Sequence, residues 1–220
     1  MAEVTLVPTR FSLVRFDAER LGGLLDDLAD RVGLPATATV RVEVDEVLPA
    51  PLAVTLADVV DGRGEVWCTG GALEDTTHAG HLDEGKAAAE LGAALLRVRD
   101  RLGPGAFAAA PGDLALTDTQ RAAWDVWTDG RLERLGVPVR RGRRRYLFRL
   151  ACGFSDTVDE TFARLWAAER LTWDALAGMV GALPEPAAGA TRSRPGAGMG
   201  PPRPSYAALV PEPVAARHPT

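Results

Sequence analysis

Lysine is almost missing from this chain: Lys86 is the only one, so positive charge is carried nearly entirely by arginine. Cysteine is scarce too. Cys68 and Cys152 are the only two, far apart in sequence, which excludes a disulfide scaffold and reads as two buried thiols. Long apolar runs are absent. No stretch approaches the ~18 uncharged apolar residues of a membrane helix. The opening residues Met1 to Pro8 lack a basic segment followed by an apolar one. The expected location is therefore cytoplasmic, with no membrane partner. Cofactor motifs are missing as well. No Gly-x-Gly-x-x-Gly follows a strand, no phosphate-binding Walker loop occurs, and no Gly-x-Ser-x-Gly elbow is present.

What remains is a chain of 220 residues, 46% hydrophobic, with a net charge of −5. That composition supports a sizeable core and excludes disorder throughout. Charge is unevenly placed. Residues 1–136 hold 13 Lys and Arg against 23 Asp and Glu, whereas residues 137–183 hold 8 against 5. An acidic body thus carries a basic segment late in the chain.

Periodicity places the elements. Phe11 to Phe16 reads as a strand, with Val4 to Val7 as an extension. Asp17 caps a helix whose Leu21, Leu24, Leu25, Leu28 and Val32 share one face, stopped by Gly33 and Pro35. Thr39 to Val47 alternates as a half-buried strand. Leu52 to Val60 and Glu65 to Thr69 flank Asp61-Gly62-Arg63-Gly64 as a hairpin. Lys86 to Leu102 is a helix. Residues 103–113 are a connector. Thr117-x-x-Gln120 is a capping box that opens a helix to about Leu135. Arg144 to Leu150 reads as a strand with Tyr146, Phe148 and Leu150 on one side. Thr157 opens a further helix, and Thr172 caps a short last one. Residues 184–220 are rich in Pro, Gly and Arg and are expected to be a disordered tail.

Three groups of residues carry candidate chemistry. The first is the loop Glu74 to Glu84, in which His78 and His81 lie among carboxylates. With Asp83, and with Cys68 at the end of the preceding strand, it offers ligand types that suit a divalent metal such as Zn. The bland alternative is a hydrated acidic loop in which Asp83 and Glu84 favour the positive end of the next helix. The second is Arg140, Arg141, Arg143, Arg144, Arg145 and Arg149, an arginine cluster interleaved with aromatics. It points to nucleic acid or to an acidic partner. The alternative is pairing with the acidic body. The third is Trp124, Trp127, Trp166 and Trp173, which at helical spacing read as core.

Two passages resemble known groups. Trp124 to Leu135, Arg143 to Arg149, Gly153-Phe154-Ser155-Asp156 and Phe162 to Trp166 resemble a group of conserved actinobacterial proteins. The resemblance brings no activity with it, and the arginine-, alanine-, glycine- and proline-rich composition fits a GC-rich genome. The order helix, strand, hairpin, acidic loop, helix over residues 17–103 is similar to the minimal zincin-like metallopeptidases. That family places His-Glu-x-x-His on the helix after the loop. Here the helix reads Ala89-Glu90-Leu91-Gly92-Ala93-Ala94, with Glu90 and no histidine. The resemblance therefore implies a relative without the zinc site.

The expected fold is α+β: a mixed or antiparallel sheet packed with several amphipathic helices. Residues 1–103 are expected to form an α/β unit, and residues 114–183 a Trp-rich helical unit with one strand packed on it. The expected function is non-catalytic binding or regulation through contacts with another protein, with no cofactor. A metal-dependent hydrolase built on the His78/His81 loop and nucleic-acid binding through residues 140–149 are the alternatives.

Overall fold

The computed structural model describes residues 2–103 and 105–183. Strand β1 (Glu3–Val7) lies parallel to β2 (Thr39–Asp45), and helix α1 (Ala18–Val32) makes the crossover between them. Strand β2 is parallel to β4 (Arg63–Thr69), and β3 (Thr55–Val60) runs antiparallel along β4. The sheet is mixed, in the order β1-β2-β4-β3. Then come α2 (Gly70–Leu73), α3 (Glu84–Leu102), a 3-10 turn (Asp113–Ala115), α4 (Asp118–Arg134), α5 (Arg141–Cys152), α6 (Asp156–Ala167) and α7 (Trp173–Gly181). The fold is α+β. No helix among the described residues is long and apolar enough to cross a membrane. The expected tail, residues 184–220, lies outside the described residues.

Local chemistry explains the boundaries. The Asp17 carboxylate accepts the N–H groups of Glu19 and Arg20, and Gly33 closes α1 in the left-handed region. Asp61 and Gly62 both have positive φ (51° and 75°), the turn that lets β3 and β4 pair without splaying. At α4 the capping box is complete: Thr117 Oγ1 accepts the Gln120 N–H, and Gln120 Oε1 accepts the Thr117 N–H. Val40, Val42 and Val44 turn inward, while Arg41 pairs with Glu43 and Glu65 on the outer face.

Three expectations are corrected. Phe11 to Phe16 forms no strand; it makes a single bridge, Arg15 to His81. The Ser12, Leu13 and Val14 N–H groups donate to one oxygen of Glu46, so a side chain takes the place of a neighbouring strand. The helix expected from Thr157 is capped two residues earlier, by Ser155. The largest correction is α5. Residues 144–150, expected as the one strand of the helical half, are helical, and the ion pairs described below hold them there.

The described residues fall within one compact unit. Two apolar clusters fill it. One joins the inner face of the sheet to α1 and α3. The other gathers Phe107, Trp124, Trp127, Phe148, Phe162 and Trp166 between α4, α5, α6 and α7. Phe107 stacks on Trp127 with ring centroids 4.9 Å apart.

Candidate functional site

Between the two apolar clusters runs a line of alternating charges. It starts at β3, the edge strand. There Arg101 donates to the Ala57 carbonyl and Asp113 accepts the Ala57 N–H, so side chains occupy the open edge where another strand would pair. Asp113 pairs with Arg101 at 2.7 Å and with Arg97 at 3.0 Å. Arg97 reaches Asp125 of α4 at 3.0 Å. Arg144 of α5 then takes Asp125 at 2.9 Å and Asp129 at 2.6 Å. Asp125 and Asp129 stand one turn apart on α4 and present one face to α5.

Three guanidinium groups and three carboxylates thus balance along this line. Burial disfavours the Arg144 cation, but Asp125 and Asp129 outweigh it and raise the proton affinity of its guanidinium. Burial raises the Asp113 carboxyl, and Arg97 and Arg101 more than reverse that. Glu90 of α3 is the carboxylate in excess. It feels Arg144, Asp125, Asp129 and Arg97, makes no hydrogen bond or ion pair among the described residues, and is pushed up mainly by burial.

A second clamp holds the other flank of α5. Arg145 and Arg149, one turn apart, both grip Asp159 of α6, the first through Nε at 3.0 Å and the second through Nε at 2.7 Å. Phe148 and Cys152 point into the core. With Arg144 tied to α4 and Arg145 and Arg149 tied to α6, the rotation of α5 about its axis is fixed.

That rotation decides what faces water. Arg143, Tyr146, Leu147 and Leu150 recur at i, i+3, i+4 and i+7 and share the outward face. Tyr146 and Leu150 are each 56% exposed and Leu147 is 39% exposed. After α5, Gly153 at φ 101° turns the chain. Phe154, 64% exposed, comes back against Tyr146 with ring centroids 6.3 Å apart. Four large apolar side chains are therefore grouped on one helix and its cap. A cleft of about 370 Å³ lies between α5 and α6, lined by Arg141, Gly142 and Arg145 of α5 and by Asp159, Phe162 and Ala163 of α6.

The six expected arginines therefore divide. Arg144, Arg145 and Arg149 are consumed by internal pairs. Arg141 lies over the Trp166 ring at 5.1 Å. Arg140, Arg141 and Arg143 are exposed and have no carboxylate partner among the described residues.

The expected metal ligands are not brought together. His78 Nδ1 is held by Asp75 at 3.0 Å and by Thr77 at 2.9 Å, on the surface. His81 lies near Arg15, with the two histidine rings 6.3 Å apart. Asp83 accepts the Lys86 N–H as the cap of α3. Cys68 is fully buried in the sheet, its thiol pushed far up by burial and then by Glu90 and Asp45. Cys152 is pushed up to about 11 by burial. Neither thiol is primed as a nucleophile. Among the described residues no group of three or more His, Cys, Asp and Glu is placed to hold a metal ion.

The alternation of Tyr146, Phe148 and Leu150 conceals the apolar stripe in the sequence. The signal was present as the i, i+3, i+4, i+7 spacing from Arg143. Compared with protein-family models, curated proteins and solved structures, the chain matches none of them.

Proposed function

We propose that this protein binds another protein through the outward stripe of α5 and acts without catalysis of its own. The observation that carries this reading is the clustering of Tyr146, Leu147, Leu150 and Phe154 on a helix locked from both sides. Exposed apolar residues scattered singly are ordinary, whereas contiguous ones mark contact surfaces. The spacing is that of an amphipathic helix seated in a groove or against a second helix. Rigid presentation also lowers the entropic cost of docking.

Tyr146 beside Arg143 also gives a second reading, nucleic acid, since an exposed ring can stack on a base. Leu147 and Leu150 favour protein, because aliphatic side chains gain nothing from phosphates. An acidic body would also repel a long polyanion. Nothing in the positions of His78, His81, Asp83 and Cys68 supports a hydrolase.

The test uses the full chain at its native level in the cells that make it. Wild type is expected to be recovered with one protein in fixed stoichiometry. The Leu147→Ser/Leu150→Ser variant, folded to the same melting temperature, is expected to be recovered without it. Recovery of that protein with both forms, or of nucleic acid in its place, contradicts the reading.

A further inference from the structure

We infer that the segment docking on α5 is acidic: a partner stretch whose apolar side chains cover Tyr146, Leu147, Leu150 and Phe154 and whose carboxylates meet Arg140 and Arg143, while Arg141, over the Trp166 ring, adds to the positive field from the α6 side. This rests on the protein-binding reading above and adds the chemistry of the partner. Helix α5 and its preceding residue Arg140 contain six arginines and no acid. Three of the six are neutralised by Asp125, Asp129 and Asp159. The other three are exposed without a carboxylate partner among the described residues, all within the first turn of α5 or just before it. No acidic residue stands in that first turn and no side chain caps it, so its free N–H groups add to the positive field of the guanidiniums.

Arg143 belongs to the stripe itself, one turn from Tyr146 and Leu147. Charge and apolar surface are therefore one footprint, with the charge at one end. At 1.5 Å per residue the stretch from Arg143 to Leu150 spans about 10 Å, two turns of a partner helix. That polarity orients the partner, with its acidic end at Arg140 to Arg143 and its apolar end at Leu150 and Phe154. A second copy docking through the same face would bring Arg140 and Arg143, which have no carboxylate partner among the described residues, against the same two residues of the other copy, which like charge opposes.

The test places a photo-crosslinking amino acid at position 147 of the full chain, irradiates the cells that make the protein, and sequences the attached peptide. The expected adduct is a segment of a different protein with a clear excess of Asp and Glu. Its yield is expected to fall at least tenfold in the Arg140→Glu/Arg143→Glu variant. Both positions are exposed, and acids favour a helix N-terminus, so that variant keeps its fold; the Arg140→Gln/Arg143→Gln variant, expected to lose an intermediate share, repeats the test with the charge removed but not reversed. A protein adduct that is neutral or basic, or a yield that ignores both variants, overturns this inference and leaves protein binding standing. An adduct with nucleic acid, lipid or a second copy, or no adduct at all, overturns both.

Discussion

Arg144 and Asp129 meet between α5 and α4 with Nε to Oδ2 at 2.6 Å, and both side chains are largely buried. Asp125 holds the same guanidinium from one turn away. A buried pair of this kind adds little net stability over a well-packed apolar pair, because desolvation offsets the attraction. Breaking it from one side is different, since the orphaned charges stay buried. Arg144→Met is therefore expected to lower the unfolding free energy by about 3–5 kcal/mol. Arg144→Met/Asp129→Asn is expected to be less destabilised than the sum of its single changes. Urea midpoints for the four proteins of this cycle check it.

Glu90 predicts a pH dependence of definite sign. Its folded carboxyl is raised, chiefly by burial, so the unfolded chain releases that proton at lower pH. Stability at this site is highest below the unfolded value. It falls as pH climbs from there through the raised folded value. Glu90→Gln is expected to lie close to wild type in acid and to be the more stable protein at neutral pH. Asp113 behaves oppositely. Its folded carboxyl is lowered by Arg97 and Arg101 against burial, so its contribution is present above the ordinary carboxylate range and is lost as pH falls. Urea titrations of wild type, Glu90→Gln and Asp113→Asn from pH 3 to 8 separate the two.

Gly130 marks where α4 and α6 touch. A Cβ at this position would sit 2.2 Å from the Trp166 carbonyl oxygen, a backbone atom that cannot swing away. Gly130→Ala is expected to destabilise by about 1–3 kcal/mol, as overpacking does, despite alanine's better helix propensity. Gly23→Ala in α1, where nothing lies within 4 Å, is expected to stabilise by about 0.5–1 kcal/mol. Thermal melts of the two variants test this contrast.

The histidine loop predicts a negative result with a clear contradiction. His78 is engaged by Asp75 and Thr77, and Cys68 is enclosed in the sheet. Protein purified without an affinity tag is expected to carry well under one equivalent of zinc, unchanged in His78→Ala. One equivalent that disappears with His78→Ala contradicts the described arrangement.

Much of the framework was legible from residues alone, because its signals are local. Asp17 and Gly33 frame α1, Thr117 and Gln120 form their reciprocal bonds, and the expected hairpin forms, although only Asp61-Gly62 makes its turn and Arg63 and Gly64 are already paired in β4. The failures arose where a distant residue decides the local structure. Phe11 to Phe16 has strand composition, yet its N–H groups go to Glu46, more than thirty positions away. The sequence of α5 satisfies two periods at once. Alternation groups Tyr146, Phe148 and Leu150, while the helical period separates Phe148 from the other two. Asp125, Asp129 and Asp159, on other helices, settle the choice by fixing which arginines turn inward. The candidate surface was hidden for the same reason. Alternation puts Tyr146 and Leu150 on the same side as Phe148, a period that the folded chain does not use.

Hydroxyl-radical footprinting of α5 is the most direct measurement, comparing the protein in its native cells with the purified chain. Tyr146, Leu147, Leu150 and Phe154 are expected to react readily in the purified protein and to be protected in the cells. Leu13 and Leu114, exposed elsewhere, are expected to react equally in both. Equal reactivity of the α5 residues in the two settings, or protection confined to other surfaces, would contradict a partner on this face.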